Sequence, residues 1–100
     1  MIKTPEECQD MNDIRLEIDD LDKQIIGLIG KRFGYVKAAA KFKTSATAVA
    51  APERFKAMLI KRREWAIENG LSPDAIEKLY TDLVNHFIEE EMKHWQGTNP

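Results

Sequence analysis

Apolar side chains recur in steps of four and three at Ile14, Ile18, Leu21, Ile25 and Leu28, the spacing of one face of an α-helix. The next position on that stripe is an arginine, Arg32, and the stripe resumes at Tyr35, Ala39 and Phe42. Asn12 or Asp13 is a suitable N-cap, so a first helix is predicted from there to about Lys43. KTSATAVAAP is small and polar and ends at a proline, which reads as a loop. Pro52 suits a first helical turn, with Glu53 favouring the positive end of the dipole. The second helix carries Phe55, Met58, Leu59, Arg62, Trp65 and Ala66 on one side. Asn69-Gly70 closes it, with Leu71 placed for the hydrophobic contact of a Schellman motif. Ser72 caps a third helix with Pro73 in its first turn. That helix runs through Ile76, Tyr80, Leu83, Phe87 and Ile88 to about Trp95, and GTNP frays from its end. Glycine and proline are scarce and β-branched runs are absent, so the fold class is all-α.

The first helix is too long for a small globule. About 30 residues span about 45 Å, whereas a compact chain of this length has a radius of gyration of about 13 Å. The stripe therefore needs a second copy of the chain, and an intertwined, two-fold symmetric homodimer is expected. The alternative is a break near Gly27, Gly30 or Gly34, because each glycine costs roughly 1 kcal/mol in a helix interior. These glycines could equally permit close backbone approach or leave room for a ligand.

Composition narrows the classes. One hundred residues with 43% hydrophobic and 32% charged content make one small globular domain, residues 1–100. The longest apolar run is a few residues, which excludes a membrane-spanning helix. MIKTPEECQD is polar and acidic, unlike a signal peptide. A single cysteine, Cys8, excludes an internal disulfide, and a reducing cytoplasm fits. The net charge of −2 does not suggest nucleic acid as a partner. His86 and His94 lack paired-ligand spacing and read as surface residues, so no metal is expected. Lys61-Arg62-Arg63 reads as a solvated helix face. No nucleophilic triad and no phosphate loop is visible.

Candidate chemistry lies in charges on apolar faces. A guanidinium on a core face is costly unless an anion meets it there. Arg32 therefore holds an anionic ligand or forms a structural pair with Asp22, Glu91 or another acid. Lys43 lies eleven residues on, about three turns further at nearly the same azimuth, with the two α-carbons about 16 Å apart. Arg15 and Lys43 taken singly read as surface charges. Arg15 points elsewhere around the helix, but an antiparallel mate could bring its own Arg15 over Arg32. On the third helix, Glu91 follows the apolar positions inward while Glu89 and Glu90 fall toward solvent. A carboxylate there only accepts hydrogen bonds; a protonated acid can donate one.

These positions carry a family pattern. The chain resembles the all-helical chorismate mutase fold, and most closely its salicylate-forming branch, the isochorismate pyruvate lyases. The matching stretches are DIRLEIDDLDKQIIGLIGKRFGYVKAAAKFK, APERFKAML, REWAIENGL and the segment ending FIEEEMKHW. The resemblance implies that Arg15, from the partner subunit, and Arg32 bind carboxylates. It implies that Lys43 lies near an ether oxygen and Arg54 at the rim. The lyases usually have glutamine where Glu91 stands, and some fungal mutases of this fold have glutamate. Glu91 either donates to the ether oxygen as a protonated acid or pairs with Lys43.

The implied reaction converts isochorismate to salicylate and pyruvate without cofactor, metal or covalent intermediate, with segment 44–51 as a lid. A siderophore route is the family expectation for the salicylate. Two other readings stand beside it. One is chorismate mutase activity, converting chorismate to prephenate in the same pocket. The other is a non-catalytic helical dimerisation module with Arg32 and Glu91 as a buried ion pair.

Overall fold

A computed structural model describes residues 3–98. After a 3₁₀ turn at Pro5–Glu7, the chain forms α1 (Met11–Ala39), a 3₁₀ turn (Ala40–Phe42), α2 (Ala46–Ala50), α3 (Pro52–Glu68) and α4 (Pro73–Thr98). The all-α reading holds among the described residues, with three long helices and a short one.

The helix starts arise from local hydrogen bonding. Asp10 caps α1, its Oδ1 accepting the Asp13 N–H at 2.8 Å. Asp13 in turn accepts the Gln9 N–H at 3.1 Å and the Lys3 ammonium at 3.0 Å. The cap thus falls two or three residues before the expected Asn12 or Asp13, because an aspartate at residue 10 can satisfy an N–H three residues on. Ser72 caps α4 by accepting the Ala75 N–H at 3.2 Å, as expected. The helix continues past Trp95 to Thr98 rather than fraying at Gly97. Asn99 and Pro100, the rest of the expected frayed end, lie outside the described residues, as do Met1 and Ile2 at the start of MIKTPEECQD.

The end of α3 is a Schellman motif. Leu71 N–H reaches Ala66 O at 2.8 Å and Gly70 N–H reaches Ile67 O at 3.1 Å. Gly70 adopts φ 72°, the left-handed conformation that glycine takes without a Cβ penalty. Leu71 remains exposed, so the hydrogen bonds of the motif form although its apolar residue is not covered.

The structure departs from expectation at the C-terminal end of α1 and in the segment after it. The α-helix ends at Ala39, not near Lys43, and tightens into the 3₁₀ turn. Such tightening gives terminal carbonyls closer partners; here the Lys43 N–H reaches Ala40 O at 3.2 Å. Lys43 has therefore left the helix, in extended backbone, and does not share a helical azimuth with Arg32. The expected loop is also partly helical. Ser45 accepts the Ala48 N–H at 3.1 Å and starts α2, and Val49 is only 1% exposed. At Ala51, φ 43°, the chain turns directly from α2 into α3, so one residue ends one helix and precedes the other.

The chain divides into two units, one reaching Gly34 and one from Tyr35 onward. In the second, α3 packs along α4, and α2 and the 3₁₀ turn at Ala40–Phe42 also pack on α4. Its buried apolar residues are Ala40, Val49, Met58, Ala66 and Val84. The first unit is the N-terminal turn and the greater part of α1. That helix passes through Gly27, Gly30 and Gly34 as a single element and buries none of its residues. Its stripe residues Ile14, Ile18, Leu21, Ile25 and Leu28 are 37–62% exposed.

Candidate active site

Among the sequence-predicted site residues, Lys43 and Glu91 contact each other in the structure. Lys43 comes just after the 3₁₀ turn, and Glu91 lies on α4, which that turn packs against. Glu91 is 3% exposed, so the helix does turn it inward, while Glu89 is exposed and Glu90 intermediate. Lys43 Nζ stands 2.8 Å from Glu91 Oε2. The contact is a charge pair rather than an aligned hydrogen bond, since no well-directed donor among the described residues reaches that oxygen. A buried carboxylate without a cation is strongly unfavourable, and the pair resolves the charge of Glu91. Of the two expectations for Glu91, the structure has the pair with Lys43. An ammonium carries three donors, so Lys43 can hold Glu91 and still aim an N–H at a ligand oxygen.

Trp95, one turn beyond Glu91, is a site neighbour that the sequence does not single out. Its indole Nε1–H donates to the Lys43 carbonyl at 2.9 Å. The i to i+4 spacing of Glu91 and Trp95 places both on one face of α4. That spacing was legible, but the 52-residue reach to Lys43 was not.

The remaining candidates stand in different places. Arg32 is half-buried on α1, Arg15 is exposed near its start, and Arg54 is exposed in the first turn of α3. Arg15 and Arg32 are separated by about 25 Å along one continuous helix, so a single chain does not bring them to one small ligand. His86 and His94 are exposed. Desolvation pushes the Cys8 thiol above its usual range, the opposite of an activated cysteine.

The solvated reading of Lys61-Arg62-Arg63 needs correction. The Arg62 guanidinium lies over Trp65 at 4.7 Å and over Tyr80 at 5.7 Å. Arg63 pairs with Asp74 at 2.8 Å and more loosely with Glu77 at 3.7 Å. Arg62 and Arg63 therefore tie α3 to α4, while Lys61 stays exposed and pairs with Glu64 on its own helix. Arg62 sits among Phe55, Met58 and Trp65 on the apolar side of its helix, the same signal that marked Arg32.

The helical architecture, a long first helix and a lysine–glutamate pair set against the last helix define the class. Residues 14–92 match the family described as chorismate mutase type II, and the chain belongs to that family. It is 45% identical over 97 residues to the isochorismate pyruvate lyase of Pseudomonas aeruginosa (strain PAO1), covering 97% of this chain and 96% of that protein. It is also 40% identical over 81 residues to the T-protein of Haemophilus influenzae (strain Rd), covering 80% of this chain but 20% of that one. No helix among the described residues is long and apolar enough to cross a membrane.

Proposed function

We infer that this chain is an isochorismate pyruvate lyase, a carbon–oxygen lyase that forms salicylate and pyruvate from isochorismate. The observation that carries the reading is the 45% identity to a protein of that name across nearly the full length of both chains. In the reaction, hydrogen passes from the ring to the enolpyruvyl side chain as the ether C–O bond breaks. Pyruvate departs and the ring becomes aromatic. The protein needs to fold the side chain over the ring and meet the charge that builds on the ether oxygen.

Lys43 is the group suited to that charge, because a preplaced cation needs no reorganisation as the bond breaks. Glu91 holds its ammonium. Arg32 and Arg15 of the partner subunit bind the two carboxylates, in bidentate fashion where the planes align, and Arg54 lies at the rim. Orientation of the bound side chain supplies a further part of the rate. No metal or cofactor has a part in this scheme. The active unit is a homodimer in the cytoplasm, with a single domain per chain and a pocket shared by two subunits. The exposed stripe on α1 supports the second copy, and the span between Arg15 and Arg32 supports donation of one arginine from each chain.

Chorismate mutase activity in the same pocket is the second reading, favoured by the family match over residues 14–92. Purified protein incubated separately with isochorismate and with chorismate decides between them. Salicylate fluorescence from isochorismate is expected, with prephenate from chorismate slower or absent. Prephenate without salicylate would make the chain a mutase. Neither product would leave a helical dimerisation module.

A further inference from the structure

Lys43 is held at three points, and two of them come from α4. Its N–H bonds Ala40 O at 3.2 Å, its carbonyl accepts the Trp95 indole N–H at 2.9 Å, and its ammonium lies 2.8 Å from Glu91 Oε2. A lysine side chain has four carbon–carbon bonds to rotate, so an ion pair at its tip leaves the backbone end undetermined. The backbone there is not fixed by an α-helix, because α1 stopped at Ala39 and Lys43 is extended. Beyond it lie two residues outside any helix and then α2. The indole bond is the contact from α4 that pins the main chain at Lys43.

We propose that Trp95 is a positioning residue for the lysis reaction, acting through its Nε1–H on the Lys43 carbonyl. The inference rests on the role that the proposed function gives to Lys43. Glu91 and Trp95 then work as a pair one helical turn apart: the carboxylate sets where the ammonium points, and the indole sets where its backbone begins. Losing the indole donor lets the backbone drift, and the ammonium is carried with it over the range of positions that the pair with Glu91 allows. The cation is then misplaced relative to the ether oxygen, and a small displacement from ideal geometry lowers the rate of the chemical step strongly.

Two replacements at residue 95 isolate the donor. Trp95→Phe keeps an aromatic ring without an N–H. Site-specific benzothienylalanine keeps the shape of the indole with sulfur in place of the N–H, and serves even where the smaller phenyl ring disturbs folding. Site-specific fluorotryptophan keeps the N–H and is the rescue. With isochorismate as substrate, benzothienylalanine is expected to lower kcat about tenfold with KM changed less than about threefold. Fluorotryptophan restores kcat, and helicity and dimer mass stay unchanged throughout. Unaltered kcat with benzothienylalanine overturns the inference, as does a rise in KM alone. Lys43→Ala, measured in parallel, separates this from the function itself. If it leaves kcat intact, the role of Lys43 fails and the inference with it. If it abolishes turnover while the sulfur analogue is fully active, only the inference fails.

Discussion

Asp13 closes the start of α1 by accepting the Gln9 N–H and then the Lys3 ammonium, and these contacts hold its carboxyl below the usual carboxylate range. A carboxyl depressed on folding contributes stability that is present above its unfolded value and lost as pH falls through its folded one. The Lys3 ammonium, bonded to Asp13 first and attracted to its charge second, is raised instead. Its contribution is present below the ordinary lysine value and lost as pH rises through the raised one. The N-terminal contacts should therefore persist across neutral pH and loosen at both extremes. The protection factor of the Gln9 amide, measured from pH 6 downward, should fall toward one below about pH 4, and Asp13→Asn should remove that pH dependence. A protection factor at Gln9 indifferent to acid would contradict the assignment.

At the same scale, some residues were readable and others were not. Glu91 was readable as inward because helical periodicity fixes azimuth. Arg62 was obscured because its charged neighbours outweighed its place on the apolar side. Which partner meets an inward group is a tertiary fact. The periodicity offered Lys43 only as a helical neighbour of Arg32, whereas the structure delivers it to Glu91 across 48 residues.

The helices show a similar division between local and distant causes. The end of α3 was legible because Asn69-Gly70-Leu71 carries its own geometry, and the start of α4 because Ser72-Pro73 does. Gly70→Ala tests this directly. At φ 72° an alanine should cost about 1 kcal/mol, read as a lower urea midpoint with an unchanged slope; a midpoint equal to that of the parent would show that the turn relaxes at no cost. The end of α1 and the existence of α2 were less legible. No glycine or proline marks Ala39, and the α-helix gives way to a 3₁₀ turn where Ala40 is buried. Within α2, Ser45 is a good cap and Val49 the residue that docks. Five residues are too few to make a helix from propensity alone, so its stability comes from packing on α4.

For the whole molecule, length was the informative quantity. A helix of 29 residues that buries none of them presents an exposed apolar row, and an exposed apolar row of that length marks an interaction site. With a second copy as the cover, Leu21→Asp should shift the protein from dimer to monomer in sedimentation experiments and abolish salicylate formation with it. A variant that stays dimeric would place the interface elsewhere. The fold class was available from periodicity and length. The same two quantities raise the expectation of a second copy, but they do not say which of its residues would complete a pocket, because periodicity within one chain carries no information about its neighbour.

The joint at Ala51 carries a consequence for how this segment can vary. With no spacer between α2 and α3, a single added residue within α2 would swing Val49 about 100° around the axis, away from its seat. Drift in length is therefore barred here, and change between Ser45 and Pro52 is confined to swaps that preserve the count.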